Sequence, residues 1–292
     1  MESSETIGSH LSGKEWWKLT AVLTACVTLY FPVLKQLVQE WQNNPNFSHG
    51  FLIPPLAAFL VWDRREAIKR LPLKPSYWGL LGVALSLGML FLGNFGAELF
   101  LTRFSFLAVL ASLIIFLLGW RALRGLTYPL AVLILMIPLL QIIFNQIAFP
   151  LQLAASRLAC SGLRLAGIPV LREGNLMILP HDVMFEVAEA CSGIRSLSAL
   201  VALGVAYGRF FETENDKRVV LLASTIPVAI LANSFRIVGT GVLTYFVGEQ
   251  AGEGFFHAVS GWAVFLSAFV LLVFVHTSMK VVWRSPRMES GQ

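Results

Sequence analysis

The sequence predicts an all-α polytopic integral membrane protein, with about eight transmembrane helices and a small extracytoplasmic segment of amphipathic helix and hairpin. Three observations carry this. Hydrophobic residues make up 56% of the 292 and charged residues only 13%, more apolar side chain than a soluble core of this size uses. Mean hydropathy is +0.70. The apolar residues fall in runs near the length of one bilayer crossing, and Lys and Arg collect in short patches between those runs.

In chain order the expected crossings are Trp17–Val38, Gly50–Trp62, Tyr77–Phe95, Phe104–Trp120, Leu126–Phe149, Ser192–Tyr207, Val219–Phe235 and Ala258–Val282. The first follows the polar Met1–Lys14 and is long enough to span, so it is expected to serve as its own insertion signal. The second is short and holds Pro54 and Pro55, which a helix tolerates near its start. Ile237–Val247 is either a continuation of the seventh crossing or a half-helix returning towards the surface.

Positive charge sets the orientation. Arg64, Arg65, Lys69, Arg70 and Lys74 fall on one connection and Arg121 and Arg124 on the next but one. Arg209, Lys217 and Arg218, then Lys280, Arg284 and Arg287, continue the alternation. These connections and both termini are expected in the cytoplasm. Asn43–His49, Ala97–Arg103, Pro150–Ala190 and Gly248–His257 are then outside. In the longest of these, Leu151–Leu165 is amphipathic, with Arg157 and Arg164 on its polar face, and is expected along the membrane surface. Leu176–Leu179 and Val183–Val187 flank Pro180-His181-Asp182 as a small hairpin. No repeat or low-complexity tract is visible, so 1–292 reads as a single transmembrane domain with an extracytoplasmic segment at about 150–190.

Composition also excludes function classes. The net charge of +5 lies in topological patches with no basic stripe interleaved with aromatics, which argues against nucleic acid. Cys26, Cys160 and Cys191 have neither metal-type spacing nor an even count for a disulfide framework. Cys191, His257, His49 and His181 share no helical ligand spacing, so no metal and no cofactor is implied.

The residues that carry chemistry gather at one membrane face. In Glu189-Ala190-Cys191-Ser192-Gly193-Ile194-Arg195-Ser196 a thiol stands where a surface segment enters an apolar helix, whose first N–H groups favour a thiolate. The plainer reading of Cys191 is a small buried apolar residue. Asn233 and Arg236 stand at the outer end of the seventh crossing, where an ionisable group needs a partner or a role, although Arg236 could also snorkel to the headgroups. His257 begins the last crossing. A Cys, an Arg and a His on successive crossings at one face suit acyl transfer: thiolate as acceptor, imidazole as proton shuttle, guanidinium at the developing oxyanion. Scarce water favours resolving the thioester with a better nucleophile. Arg195, one turn beyond Cys191, is a candidate for an ion pair with Glu98, Glu186 or Glu189. His49, in Ser48-His49-Gly50, is either a capping residue or part of a substrate groove.

The ordered blocks around Cys191, then Asn233-Ser234-Phe235-Arg236-Ile237, then His257, resemble the exosortase/archaeosortase family of membrane cysteine transpeptidases, here a bacterial exosortase. Ser48-His49-Gly50 and Arg172-Glu173-Gly174-Asn175 are similar to further signatures of that family. The resemblance implies Cys191 as nucleophile, Arg236 as the catalytic arginine and His257 as the catalytic histidine. It implies partners as well: exported proteins with a C-terminal sorting tail of Pro-Glu-Pro motif, transmembrane helix and basic end. It further implies an inner-membrane location, a periplasmic active site and a link to exopolysaccharide production. Two other classes stay open from the residues alone. A transporter or polysaccharide-export subunit would place ionisable groups near mid-membrane or show paired halves. A membrane thiol acyltransferase would use the same thiol on a lipid or polysaccharide.

Overall fold

The computed structural model describes residues 6–7, 16–138, 141–180, 184–187, 194–248 and 255–283. Five helices among the described residues are long and apolar enough to cross a membrane: Thr20–Asn43, Trp78–Phe95, Leu99–Leu117, Asn215–Val247 and Ala263–Val282. The protein is therefore mostly helical and multi-pass, and the five match the first, third, fourth, seventh and last expected crossings. The chain divides into two compact units, residues 1–140 and 141–292.

In the first unit, α1 (Trp16–Asn43) leads through a 3-10 segment, Pro45–Leu52, into α2 (Ile53–Asp63), of 11 residues. The second expected crossing thus divides. Pro54 and Pro55 stand in the first turn of α2, where their missing N–H groups leave no helical bond unmade. After the short α3 (Arg65–Lys69), α4 (Trp78–Phe95) and α5 (Leu99–Leu117) pack closely side by side. A Cβ on Gly79 would come within 2.3 Å of the Phe116 backbone, and one on Gly93 within 2.7 Å of Thr102, so only hydrogen fits there. Small residues are what bring helices together in hydrocarbon, where apolar burial supplies little drive. Cys26, Tyr30 and Val33 of α1 complete this core with Leu90 and Val109, and the Tyr30 and Ser105 hydroxyls are 3.1 Å apart.

Two expectations for this unit are corrected. Arg103 does not belong to an outside connection: Glu98 caps α5 by accepting from the Phe100 N–H, which starts the helix early enough to include Arg103. Arg103 is 4% exposed and donates to the Glu40 carboxylate of α1. The fifth expected crossing, Leu126–Phe149, is two helices, α6 (Trp120–Ile134) and α7 (Gln141–Leu165). Pro138 lacks an N–H and biases Ile137 away from helical geometry, which stops α6.

The second unit holds α7, a three-stranded antiparallel sheet and three further helices. The sheet is β1 (Leu171–Glu173), β2 (Leu176–Ile178) and β3 (Met184–Glu186), in that order. β2 and β3 form the expected hairpin, with Met177 opposite Phe185. β1 extends it through a turn at Gly174, whose φ of +63° suits glycine. α8 (Ile194–Phe211), α9 (Asn215–Val247) and α10 (Phe255–Val282) follow. α9 settles the ambiguity over Ile237–Val247, since it runs unbroken for 33 residues. At 1.5 Å per residue that is about 50 Å, well beyond a hydrocarbon core of about 30 Å.

α9 therefore serves two cores in turn. Its first part packs with α8 and α10 around Leu200, Leu221, Val228, Ala229, Ala232, Val264, Ala268 and Leu272. From Ile237 on, with Val238 and Val242, it packs against α7 and the sheet through Ala155, Ala159, Cys160, Leu163 and Met177. The amphipathic Leu151–Leu165 is the later part of α7, with Arg157 and Leu158 on its exposed face.

Orientation is testable by labelling single cysteines with an impermeant maleimide in intact spheroplasts. Glu212 is only 6% exposed, so Glu214, which is exposed, is the sound probe of the α8–α9 turn. Arg157→Cys is expected to label and Glu214→Cys to stay protected until the membrane is opened. The reverse pattern would invert the topology.

Candidate active site

Two glycines set the register of α8 against α9. A Cβ on Gly208 would lie 3.5 Å from Leu221 Cδ2, and one on Gly204 would lie 2.9 Å from Thr225 Cγ2. Four residues back along α8 thus meet four residues forward along α9, as in an antiparallel pair. The connection between them is fixed by Arg218, whose Nε and Nη2 donate to the Glu212 carbonyl at 3.0 and 2.6 Å.

The core of these three helices ends at Ala232, and the polar run begins there. Asn233 is buried at 1% exposure, and the Ser234 hydroxyl donates to the Ile230 carbonyl at 2.7 Å. Phe235 is exposed and Arg236 is half-buried. Asn233 and Arg236, three residues apart, share one side of α9. Ile237 is already buried in the second core, with α7 and the sheet, so Arg236 stands at the junction of the two. Arg195 is half-buried in the first turn of α8.

Cys191 and Glu189 lie outside the described residues, as does the side chain of His257, whose backbone is in the first turn of α10. What the structure does describe is the anchor ahead of Cys191. Val187 is 1% exposed, and its N–H donates to the Asn175 carbonyl at 2.9 Å. Its carbonyl accepts from the Gln152 side-chain amide, and from Asn175 Nδ2 at 3.4 Å. Sequence reasoning did not single out Gln152, because a lone Gln on an amphipathic helix carries no signal. Asn175 lay within a quoted signature, and its geometry supplies a physical reason for it.

His49 is in the first unit. Its Nε2–H donates to the Leu135 carbonyl at 3.2 Å, while Trp41 Nε1–H donates to the Met136 carbonyl at 3.0 Å. These carbonyls stand past the stop of α6, where no helical N–H follows to bond them. Gly50 is required beside them, because a Cβ there would meet the Trp41 ring at 2.3 Å. Burial holds the His49 ring below its ordinary pKa, partly offset by the carbonyls of Leu135 and Asn46. Glu98 is engaged in the α5 cap. Among the described residues, no three His, Cys, Asp or Glu side chains gather as a metal site.

The fold is thus that of a multi-pass membrane protein with a small sheet beside a long helix, and with Asn233 and Arg236 where that helix leaves its three-helix core. The sequence profile described as Transmembrane exosortase (Exosortase_EpsH) matches residues 41–274, and the chain belongs to that family. Neither the curated proteins nor the solved structures hold a match. Membership carries the processing of sorting tails on exported proteins in general, and the cysteine protease and transpeptidase chemistry general to the family.

The depressed pKa of His49 makes a signed prediction. Its unfolded state takes up a proton first, so its contribution to stability is present above the ordinary value near 6.5 and is lost as pH falls through and below it. Wild-type protein in detergent should lose more thermal stability between about pH 7.5 and 5.5 than His49→Gln, whose amide still donates to Leu135. Equal losses would show that this ring is not the titrating group.

Proposed function

We propose that the chain is a cysteine endopeptidase and transpeptidase that cleaves the C-terminal sorting tail of exported proteins through a thioester on Cys191. In this reading 1–292 acts as one transmembrane domain of the inner membrane, with its active site on the periplasmic side. The tail is the one the family resemblance implies, a Pro-Glu-Pro motif, a transmembrane helix and a basic end, and the work belongs to surface protein sorting linked to exopolysaccharide production.

One observation supports the reading: among the described residues, the three-helix core reaches Leu197 on α8, Ala232 on α9 and Val264 on α10. In the sequence Cys191 stands six residues before Leu197, Arg236 four beyond Ala232, and His257 seven before Val264. The α8–α9 register, carried on from Gly208–Leu221 and Gly204–Thr225, brings Arg236 level with the start of α8. Seven residues on α10 are about two turns, about 10 Å along its axis. In this reading all three residues are assigned to the same end of one bundle. Val187, four residues before Cys191, ties the approaching chain to the second core, which α9 enters just after Arg236.

The chemistry follows from these groups. The Cys191 thiolate attacks the carbonyl carbon of the scissile peptide, and the Arg236 guanidinium holds the oxyanion, with Asn233 one turn away to orient it. The C–N bond then breaks, and protonated His257 gives its proton to the departing amine of the tail. An acceptor nucleophile attacks the thioester, returns its proton to His257 and releases the Cys191 thiolate. Glu189 and Arg195, flanking the nucleophile, and His49 are supporting residues.

Two substitutions test this. Cys191→Ala should accumulate normally and abolish tail processing, whereas Cys26→Ala and Cys160→Ala, whose thiols are buried in apolar clusters, should process normally. Processing by Cys191→Ala at the normal rate would remove the nucleophile assignment. Arg236→Lys keeps the charge and the long stem but not the planar fork of donors. It should insert normally and lose about a hundredfold or more in processing rate; near-normal turnover would return Arg236 to headgroup anchoring.

A further inference from the structure

At the end of the bundle away from Arg236, a chain of buried and half-buried polar groups joins all three helices. His276 of α10 is 3% exposed and lies within the candidate span Ala263–Val282. Its Nε2–H donates to Glu212 Oε1 at 2.8 Å, and its Nδ1 lies 2.9 Å from the Tyr207 hydroxyl of α8. With a neutral imidazole, the hydroxyl donates to Nδ1 and the carboxylate accepts from Nε2–H. Glu212 closes α8, and its carbonyl is held by Arg218 of α9. One residue thus bonds α10 through its side chain and α9 through its backbone. The Tyr207 ring also meets the His276 ring edge-on at 5.1 Å and Phe269 at 6.2 Å.

We propose that Tyr207, His276 and Glu212 form a register lock, which sets the axial position of α10 against α8 and α9 and so positions His257 relative to Cys191 and Arg236. This rests on the catalytic reading above. The core between the two ends is built of Leu, Val and Ala, which carry no polar group to mark one register. In hydrocarbon the hydrophobic effect adds little penalty against a slip of one turn, since the exposed side chains meet lipid tails. One turn is about 5.4 Å, far more than an acid–base group tolerates. The polar chain forbids the slip, because moving α10 by a turn would leave a carboxylate and an imidazole buried without their partners. Specification of register is the best-attested role of a buried polar pair in an apolar bundle, and apolar side chains of similar size often replace such a pair without loss of stability.

That contrast supplies the test, made on the full-length protein in membranes with Glu212→Leu/His276→Leu. The double variant should accumulate and melt close to wild type, while kcat for a tail-bearing substrate falls about a hundredfold and KM stays nearly constant. His276→Gln should retain most of kcat, since its amide donates to Glu212 and its carbonyl accepts from Tyr207. Register is read separately by oxidative cross-linking of Leu197→Cys with Val264→Cys or with Ala268→Cys, with the three native cysteines replaced by alanine. The ratio of the two cross-links should shift in the double variant. An unchanged ratio together with normal kcat, or failure of the double variant to accumulate, overturns the lock. The cross-links do not depend on which residue is the nucleophile. A shifted ratio alongside an active Cys191→Ala would therefore retain the lock and reject the catalytic reading.

Discussion

A polar group in hydrocarbon needs a partner, and several buried polar groups among the described residues have one. Arg103 has the Glu40 carboxylate, the carbonyls beyond α6 have the Trp41 and His49 rings, and His276 has Glu212 and Tyr207. Each arrangement ties segments distant in sequence. Apolar helices in lipid gain little from one another by burial alone, so close packing at small residues and these bonds specify which helices meet and at what height. Removing one partner would leave a buried charge or dipole unmatched, at a cost of about 3–5 kcal/mol for an ion pair. Replacing both partners with apolar side chains often costs little stability.

The same constraint explains why α9 is so long. Its first part belongs to a bundle with α8 and α10, and its last part to a separate core with α7 and the sheet. Arg236 stands at the junction of these two apolar cores, just beyond the last core residue of the first. The small sheet contributes through Val187, held by Gln152 and Asn175, so that the chain approaching Cys191 starts from a buried fixed point.

Much of this was legible in the sequence, for identifiable reasons. Continuous apolar runs gave α4, α5 and the body of α9, and the turn residues around Pro180 gave the β2–β3 hairpin. Sites where one residue overrides a hydrophobic run were read less well. Pro138 divides the fifth run, Glu98 starts α5 early enough to draw in Arg103, and Pro54 and Pro55 leave α2 short. Ile237–Val247 could not be assigned because its continuation depends on a partner, α7, that no local pattern reveals. His276 carried a usable signal, an ionisable residue within an apolar run, but Glu212 resembled an ordinary loop acid. The convergence of Arg195, Asn233 and Arg236 towards one end of a bundle was readable only because charge bias fixed the direction of each helix.

The central claim is that Cys191 works with Arg236 and His257 as an acyl-transfer site at that end of the bundle. The most direct measurement is intact-mass and peptide mass spectrometry of the enzyme isolated after co-expression with a tail-bearing protein. The account predicts an adduct on Cys191 whose mass equals the substrate up to its scissile bond, labile to hydroxylamine as a thioester is, and absent when Arg236 is replaced by alanine. An unmodified Cys191 under conditions of active processing, with an adduct on another residue, would contradict it.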